Sequence, residues 1–149
     1  MRTIKFRIWD YQKMFYPDTE HFFQNAIFWN IKMTEEKSID KDLVTNYSLM
    51  QFTGCHDKTG KEIFEGDIHR VEIEHSTGDE RHYFICTWLK EFGCFSWIDS
   101  MNYQDYVDNG LIAIEWMLND GIPLHLDFED CKKIEIIGNI HENPELLKQ

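Results

Sequence analysis

The residues of this 149-residue chain whose types could do chemistry are seven histidines, four cysteines and 27 carboxylates. A zinc centre needs about four convergent nitrogen, sulfur or carboxylate ligands. The histidines are His21, His56, His69, His75, His82, His125 and His141. Cys55-His56 with His69, or His75 with His82 across a hairpin, would be the pairings to consider, but neither has a metal-ligand spacing and no metal ligand is assigned. Paired carboxylates for general acid and base work on glycosides or phosphoesters could come from Glu65 and Asp67, or from Asp127, Glu129 and Asp130. With 27 acids such pairs are inevitable. Asp67 follows a glycine at a bend, where a carboxylate is expected to satisfy backbone N–H groups. Nucleophile signals are missing too: there is no G-x-S-x-G, Ser48 and Ser96 have no recognisable partner, and Cys86 and Cys94 fall in strands as buried thiols. Gly54, Gly60 and Gly66 belong to β-turns, so no strand-to-helix phosphate loop is present. No catalytic residue and no cofactor is expected.

Charge points elsewhere. The formal net charge is −12, from 27 acids against 15 Lys and Arg, which argues against nucleic acid as the main partner because phosphate binding requires a cationic surface. Phe84, Trp88, Phe95 and Trp97 could stack on bases or sugars, but their neighbourhood is acidic and core packing is the expectation. Residues 2–13 hold Arg2, Lys5, Arg7 and Lys13 against the single acid Asp10, whereas residues 91–131 contain nine acids and no Lys or Arg. Within that window Asp99, Asp105, Asp108, Asp120, Asp127, Glu129 and Asp130 form a candidate acidic face. Either it merely solvates the chain, or it meets a basic partner.

The elements that must position these groups read mainly as β. Eleven Phe, six Tyr and five Trp favour strands. Ile4, Phe6 and Ile8 alternate with Lys5, Arg7 and Trp9, the period of a half-buried strand, with a return strand at Met14-Phe15-Tyr16. A further strand is expected near residues 26–33, then a charged loop over 34–42. Residues 68–75 place His69, Val71, Ile73 and His75 on an inward face and Ile68, Arg70, Glu72 and Glu74 on the other. Residues 82–90 are apolar on both faces and predict a central strand. After a bend at Phe92-Gly93, residues 94–98 complete an antiparallel meander. Residues 102–110 are polar and end in the breaker Asp108-Asn109-Gly110. Residues 111–118 read either as a strand paired with 122–128, Pro123 marking an edge, or as a helix. Residues 133–140 form a last strand burying Ile134, Ile136 and Ile137, with Gly138-Asn139 marking a bulge or close backbone approach. Asn143 as N-cap with Pro144 behind it starts a short terminal helix.

The most specific stretch is Leu49-Met50-Gln51-Phe52-Thr53-Gly54, followed by Asp57-Lys58-Thr59-Gly60-Lys61-Glu62-Ile63-Phe64-Glu65-Gly66-Asp67-Ile68. Asp can bond its own backbone two residues on, and Gly accepts a positive φ, so this segment reads as two tight bends between strands. It resembles the core of the YopX family of phage and prophage proteins, as does the closing block Ile136-Ile137-Gly138-Asn139-Ile140-His141-Glu142-Asn143-Pro144-Glu145-Leu146. The opening Lys5-Phe6-Arg7-Ile8-Trp9-Asp10 is similar to the family's start. The resemblance implies a mostly β fold, either an antiparallel meander or a partly open barrel with one short C-terminal helix, and a phage-derived origin. It implies no reaction. Gly54, Asp57, Gly60, Glu65, Gly66, Asp67, Gly138, Asn139 and Pro144 are its structural motif residues.

The length suits one domain over residues 1–149. No window is apolar enough for a membrane helix. Residues 1–10 lack the apolar centre of a signal peptide, so the bacterial cytoplasm is the expected compartment and reduced thiols the default for Cys55, Cys86, Cys94 and Cys131. The function expected is that of an accessory protein acting as a non-catalytic interaction module on a host or phage protein, with self-association into a homo-oligomer left open. The alternatives are a carboxylate-based hydrolase and a single-stranded nucleic-acid binder.

Overall fold

A computed structural model describes residues 3–9, 11–16, 48–75, 78–110, 126 and 128–148. The expected strand near 26–33, the loop over 34–42 and the choice between strand and helix at 111–118 lie outside the described residues. Contacts group the chain into two compact units, Met1–Phe52 and Thr53–Gln149.

In the first unit β1 (Phe6–Trp9) pairs antiparallel with β2 (Met14–Phe15), Ile8 facing Phe15, and with the first half of β3 (Ser48–His56), Ile8 facing Leu49. Tyr11 takes a positive φ of 67° in the connection. The alternation of a half-buried strand is present, with Arg7 as its buried residue. Arg7, opposite Met50, is 1% exposed and its Nε lies 3.4 Å from Met50 Sδ, while Ile4 and Leu49 are about half exposed. Strand alternation was legible, but which face turns inward was not, because the facing residues come from β3.

The second unit holds the rest of β3, β4 (Glu62–Phe64), β5 (Asp67–His75), β6 (Gly78–Leu89) and β7 (Cys94–Asp99). They are followed by helix α1 (Ser100–Asn109), a short α2 (Phe128–Cys131), β8 (Ile136–Asn139) and a 3-10 helix Pro144–Leu147. The expected meander is present, all antiparallel, within the sheet order β7-β6-β5-β8. β6 is central, and Tyr83, Ile85, Cys86 and Leu89 along it are buried on both faces. One face packs Cys86 and Phe95 with Cys55, Ile63, Cys131 and Ile136; the other packs Ile68, Tyr83 and Ile85 under Tyr103, Ile140, Leu146 and Leu147. The four cysteines are free, with Cys55, Cys86 and Cys131 buried.

Three local expectations are corrected. Residues 100–109 form a ten-residue helix where only a polar stretch was read; Asp99 caps it, accepting from the Met101 amide at 2.8 Å, and Gly110 ends it at φ 61°. At the start of β5 both faces are covered: His69, 5% exposed, faces inward as expected, and Ile68, placed on the other face, is buried as well at 0%. Ile137 is exposed, because β8 pairs through Gly138 and Ile136 with a register shift between Ile68 and His69. The shift leaves Ile137 as the extra residue of β8, beside the Gly138-Asn139 pair that had suggested a bulge.

Candidate functional site

The conspicuous motif residues come first, because their geometry decides whether they are a site or a frame. Asp57 is 4% exposed. Its Oδ1 accepts from the amides of Thr59 (2.8 Å) and Lys61 (2.9 Å) and from the Thr59 hydroxyl (2.7 Å), and its Oδ2 accepts from the Ile136 amide at 3.0 Å. One side chain thus shapes the turn and ties it to the entry of β8. Burial pushes this carboxyl up, but the bonds from Ile136, Thr59 and Lys61 outweigh it and hold the group below the usual carboxylate range. Asp67 Oδ2 accepts from the Phe64 amide at 2.8 Å across the second bend, as expected. Gly66 (φ 81°) donates to Cys86 O at 2.7 Å and accepts from Ile140 N at 2.9 Å, joining the bend to β6 and to the closing block.

That closing block is a second staple. Asn139 Oδ1 accepts from the amides of His141 (3.1 Å) and Glu142 (2.9 Å), and the Asn143 side chain accepts from Asn139 N at 3.2 Å. Any Cβ at Gly138 would run into that Asn143 side chain. Asn143 does occupy the N-cap position with Pro144 behind it, but it makes no side-chain cap bond, having turned back to Asn139, and the helix that follows is 3-10 rather than α. Gly54 and Gly60 take φ values of 94° and 87°, which only glycine adopts without strain. Glu65 lies close enough to Tyr103 that its charge, after burial, raises that phenol. These residues build turns and tie them to neighbouring strands.

The acidic face divides by place. Asp105 and Asp108 are exposed on α1, Asp108 accepting only from Gln104, at 3.2 Å, in the bonds described. Met101 (79%) and Val107 (56%) on the same helix are also turned to solvent. Glu129 and Asp130 are paired with Lys132 (2.8 Å) and Lys133 (2.7 Å), cations just beyond the window free of Lys and Arg. Asp120 and Asp127 lie outside the described residues. α1 is held by Tyr106, whose hydroxyl donates toward Trp88 O (3.2 Å) and Glu91 Oε2 (3.3 Å); burial and the Glu91 charge push it up to about 12.

Where β6 meets the start of α1 there is a cleft of about 180 Å³, lined by Glu80, Arg81, His82, Tyr83, Asp99, Ser100 and Met101. The His82 ring lies between two carboxylates, Nε2 3.6 Å from Glu80 Oε2 and Nδ1 3.6 Å from Asp99 Oδ2. Glu80 and His82 share a face because they are two apart on a strand. That spacing was readable, but Asp99 joins them only through the β6–β7 pairing that sets it opposite Phe84. The two nitrogens face different carboxylates, so the three groups do not converge on one point, and among the described residues no group of three His, Cys, Asp or Glu side chains could hold a metal ion. Of the two histidine pairings considered, the hairpin one is set apart by the register: His75 sits opposite Gly78 and His82 opposite Val71, four residues apart along β5. His69 lies against Phe84 (5.2 Å, stacked) and edge-on to Trp97 (4.4 Å); burial lowers its pKa to about 4, and its Nδ1 has no hydrogen-bond partner. Trp88 packs edge-on against Phe95 at 4.9 Å. The aromatic row is therefore mostly packing, with Trp88 37% exposed.

Among the described residues no helix is long and apolar enough to cross a membrane. No curated protein matches the chain. Among solved structures, the crystal structure of protein EF1440 from Enterococcus faecalis is similar, with a TM-score of 0.54 and 22% identity over 99% of each chain. At that identity the likeness speaks to the fold alone. The family model described as YopX protein matches residues 5–148. With that match spanning both units and all the turn-forming residues described above, the chain belongs to the YopX family.

Proposed function

We propose that this protein is a phage- or prophage-derived accessory protein of the bacterial cytoplasm that acts by binding another protein through its acidic surface, not by catalysing a reaction. The observation that carries this is α1, which turns Asp105 and Asp108 to solvent beside exposed Met101 and Val107, with no basic residue on the helix. Exposed apolar side chains rimmed by charge of one sign are the composition of a recognition surface. The best-positioned carboxylates support the same reading from the other side. Asp57 and Asp67 accept backbone amides and are almost wholly buried, which suits turn building and leaves them out of reach of a substrate.

The test is capture from host lysate on immobilised wild type and on a D105K/D108K variant, with bound proteins identified by mass spectrometry. Wild type is expected to retain at least one basic protein that the charge-reversed variant does not. Identical bound sets would refute a role for the acidic helix.

A further inference from the structure

We infer that two copies of this chain meet through α1, the outer stripe of the helix in one copy lying on the exposed arginines of the β5–β6 ribbon in the other. This rests on reading the acidic helix as a recognition surface, and it names a second copy of the chain as a partner.

The cations that match the helix stand on the same chain. β7 pairs with residues 84–89 of β6, and β8 with residues 67–69 of β5. Beyond those residues, among the described strands, β5 and β6 pair only with each other. On one face of that ribbon Glu72 lies opposite Arg81 and two residues from Arg70. Its Oε1 meets Arg70 Nη2 at 3.0 Å and Arg81 Nε at 3.5 Å, and all three side chains are exposed. Two guanidiniums therefore share one carboxylate, which leaves one positive charge in excess on groups that carry five N–H donors each.

On α1 the arrangement is the converse. Met101, Asp105 and Asp108 are four and three residues apart, a stripe on the side of the helix away from buried Tyr106. Neither aspartate has a cation partner among the described residues, and Asp108 accepts from Gln104. One turn separates their Cβ atoms by about 5–6 Å. Arg70 and Arg81, diagonal across the strand pair, stand about 7–8 Å apart, so two long side chains can reach two carboxylates at once.

The faces suit a reciprocal contact. Tyr103 of α1 packs on Ile68, Tyr83 and Ile85, and Tyr83 lies opposite Arg70. The helix thus rises from the sheet face that carries the arginines and leaves them exposed. A copy turned about a two-fold axis sets its helix over those arginines and receives the first copy's helix on its own, so that every pair is made twice. Met101 and Val107 add exposed apolar area beside the aspartates. The net charge of −12 opposes association mainly over distance, and at about 0.15 M salt such fields reach only about 8 Å.

Sedimentation equilibrium of the intact chain at about 0.15 M salt, over roughly 10 μM to 1 mM, reads the association. Wild type is expected to form a dimer. D105K/D108K and R70E/R81E each set like charge against like, and each is expected to dimerise at least about tenfold more weakly. An equimolar mixture of the two variants is expected to recover the dimer, since lysines then meet glutamates and the remaining aspartates meet arginines. D105N/D108N, which keeps the helix and removes the charge, is expected to fall between wild type and D105K/D108K. A monomeric wild type, a D105N/D108N dimer as tight as wild type, or a mixture no tighter than its components overturns the contact. A lysate partner lost in D105K/D108K while wild type is monomeric would leave the acidic surface standing and remove the second copy from it. Recovery in the mixture with identical lysate sets would uphold the dimer and remove the host partner.

Discussion

Acidification to about pH 5 should weaken the fold through His69, the buried histidine of β5. In the folded protein its ring is 5% exposed, stacked on Phe84 and edge-on to Trp97, and Nδ1 has no partner. Burial disfavours the imidazolium and brings the pKa from 6.5 to about 4. The sign follows from where the proton goes. Above 6.5 the ring is neutral in both states; as pH falls through 6.5 the unfolded chain takes up a proton first, so stability is lost until the folded value near 4 is passed. About pH 5 lies roughly 1.5 units below the unfolded value, and each unit is worth about 1.4 kcal/mol, so the loss from about pH 7.5 is about 2 kcal/mol. Asp57 does not confuse the window, because its depressed pKa places its own loss below the ordinary carboxyl value of 3.8. Urea unfolding of wild type and His69→Phe at the two pH values isolates the term, since every other histidine is common to both proteins. His69→Phe, which fills the same space without a titrating group, is expected to lose about 2 kcal/mol less than wild type. Equal losses in the two proteins would show that His69 is not buried neutral as described.

Two further outcomes follow from the staples. Asp57→Ala should cost about 3 kcal/mol in urea unfolding, because the Ile136 amide is left buried without its acceptor and the turn amides of Thr59 and Lys61 lose theirs. Asp57→Asn, retaining one acceptor oxygen, should cost about half as much. Gly138→Ala should cost about 1–3 kcal/mol, as its Cβ displaces the Asn143 side chain. Adding Asn143→Ala should then cost less than the sum of the two single changes, and strict additivity would show that the two residues do not collide.

The bends of this protein were legible because their chemistry is local. Asp57 reaches Thr59 and Lys61, Asp67 reaches Phe64, and Gly60 and Gly66 adopt positive φ, all within a few residues of chain. The meander was legible for the same reason, since apolar alternation and short turn signals place consecutive strands side by side. Helix α1 was missed because its inward anchor is slight: Tyr106 is its single buried residue among those described. A polar window with two tyrosines carries little of the periodicity from which helices are read. Its cap, Asp99 bonding Met101 N, was the available signal.

What the amino-acid sequence settled alone was therefore the class of fold, the family and the places where the backbone must turn, since those depend on side chains acting on their own neighbourhood. Which face of each strand points inward, and which charges share a cleft, depended on partners distant in the chain. Arg7 is buried because β3 brings Met50 against it, and Ile68, read as facing the other way, is buried because Tyr103, Ile140, Leu146 and Leu147 cover it. Glu80, His82 and Asp99 meet because strand pairing and a helix start coincide at one edge. Long-range pairing is set by the sum of many weak contacts, and no short run of residues encodes it.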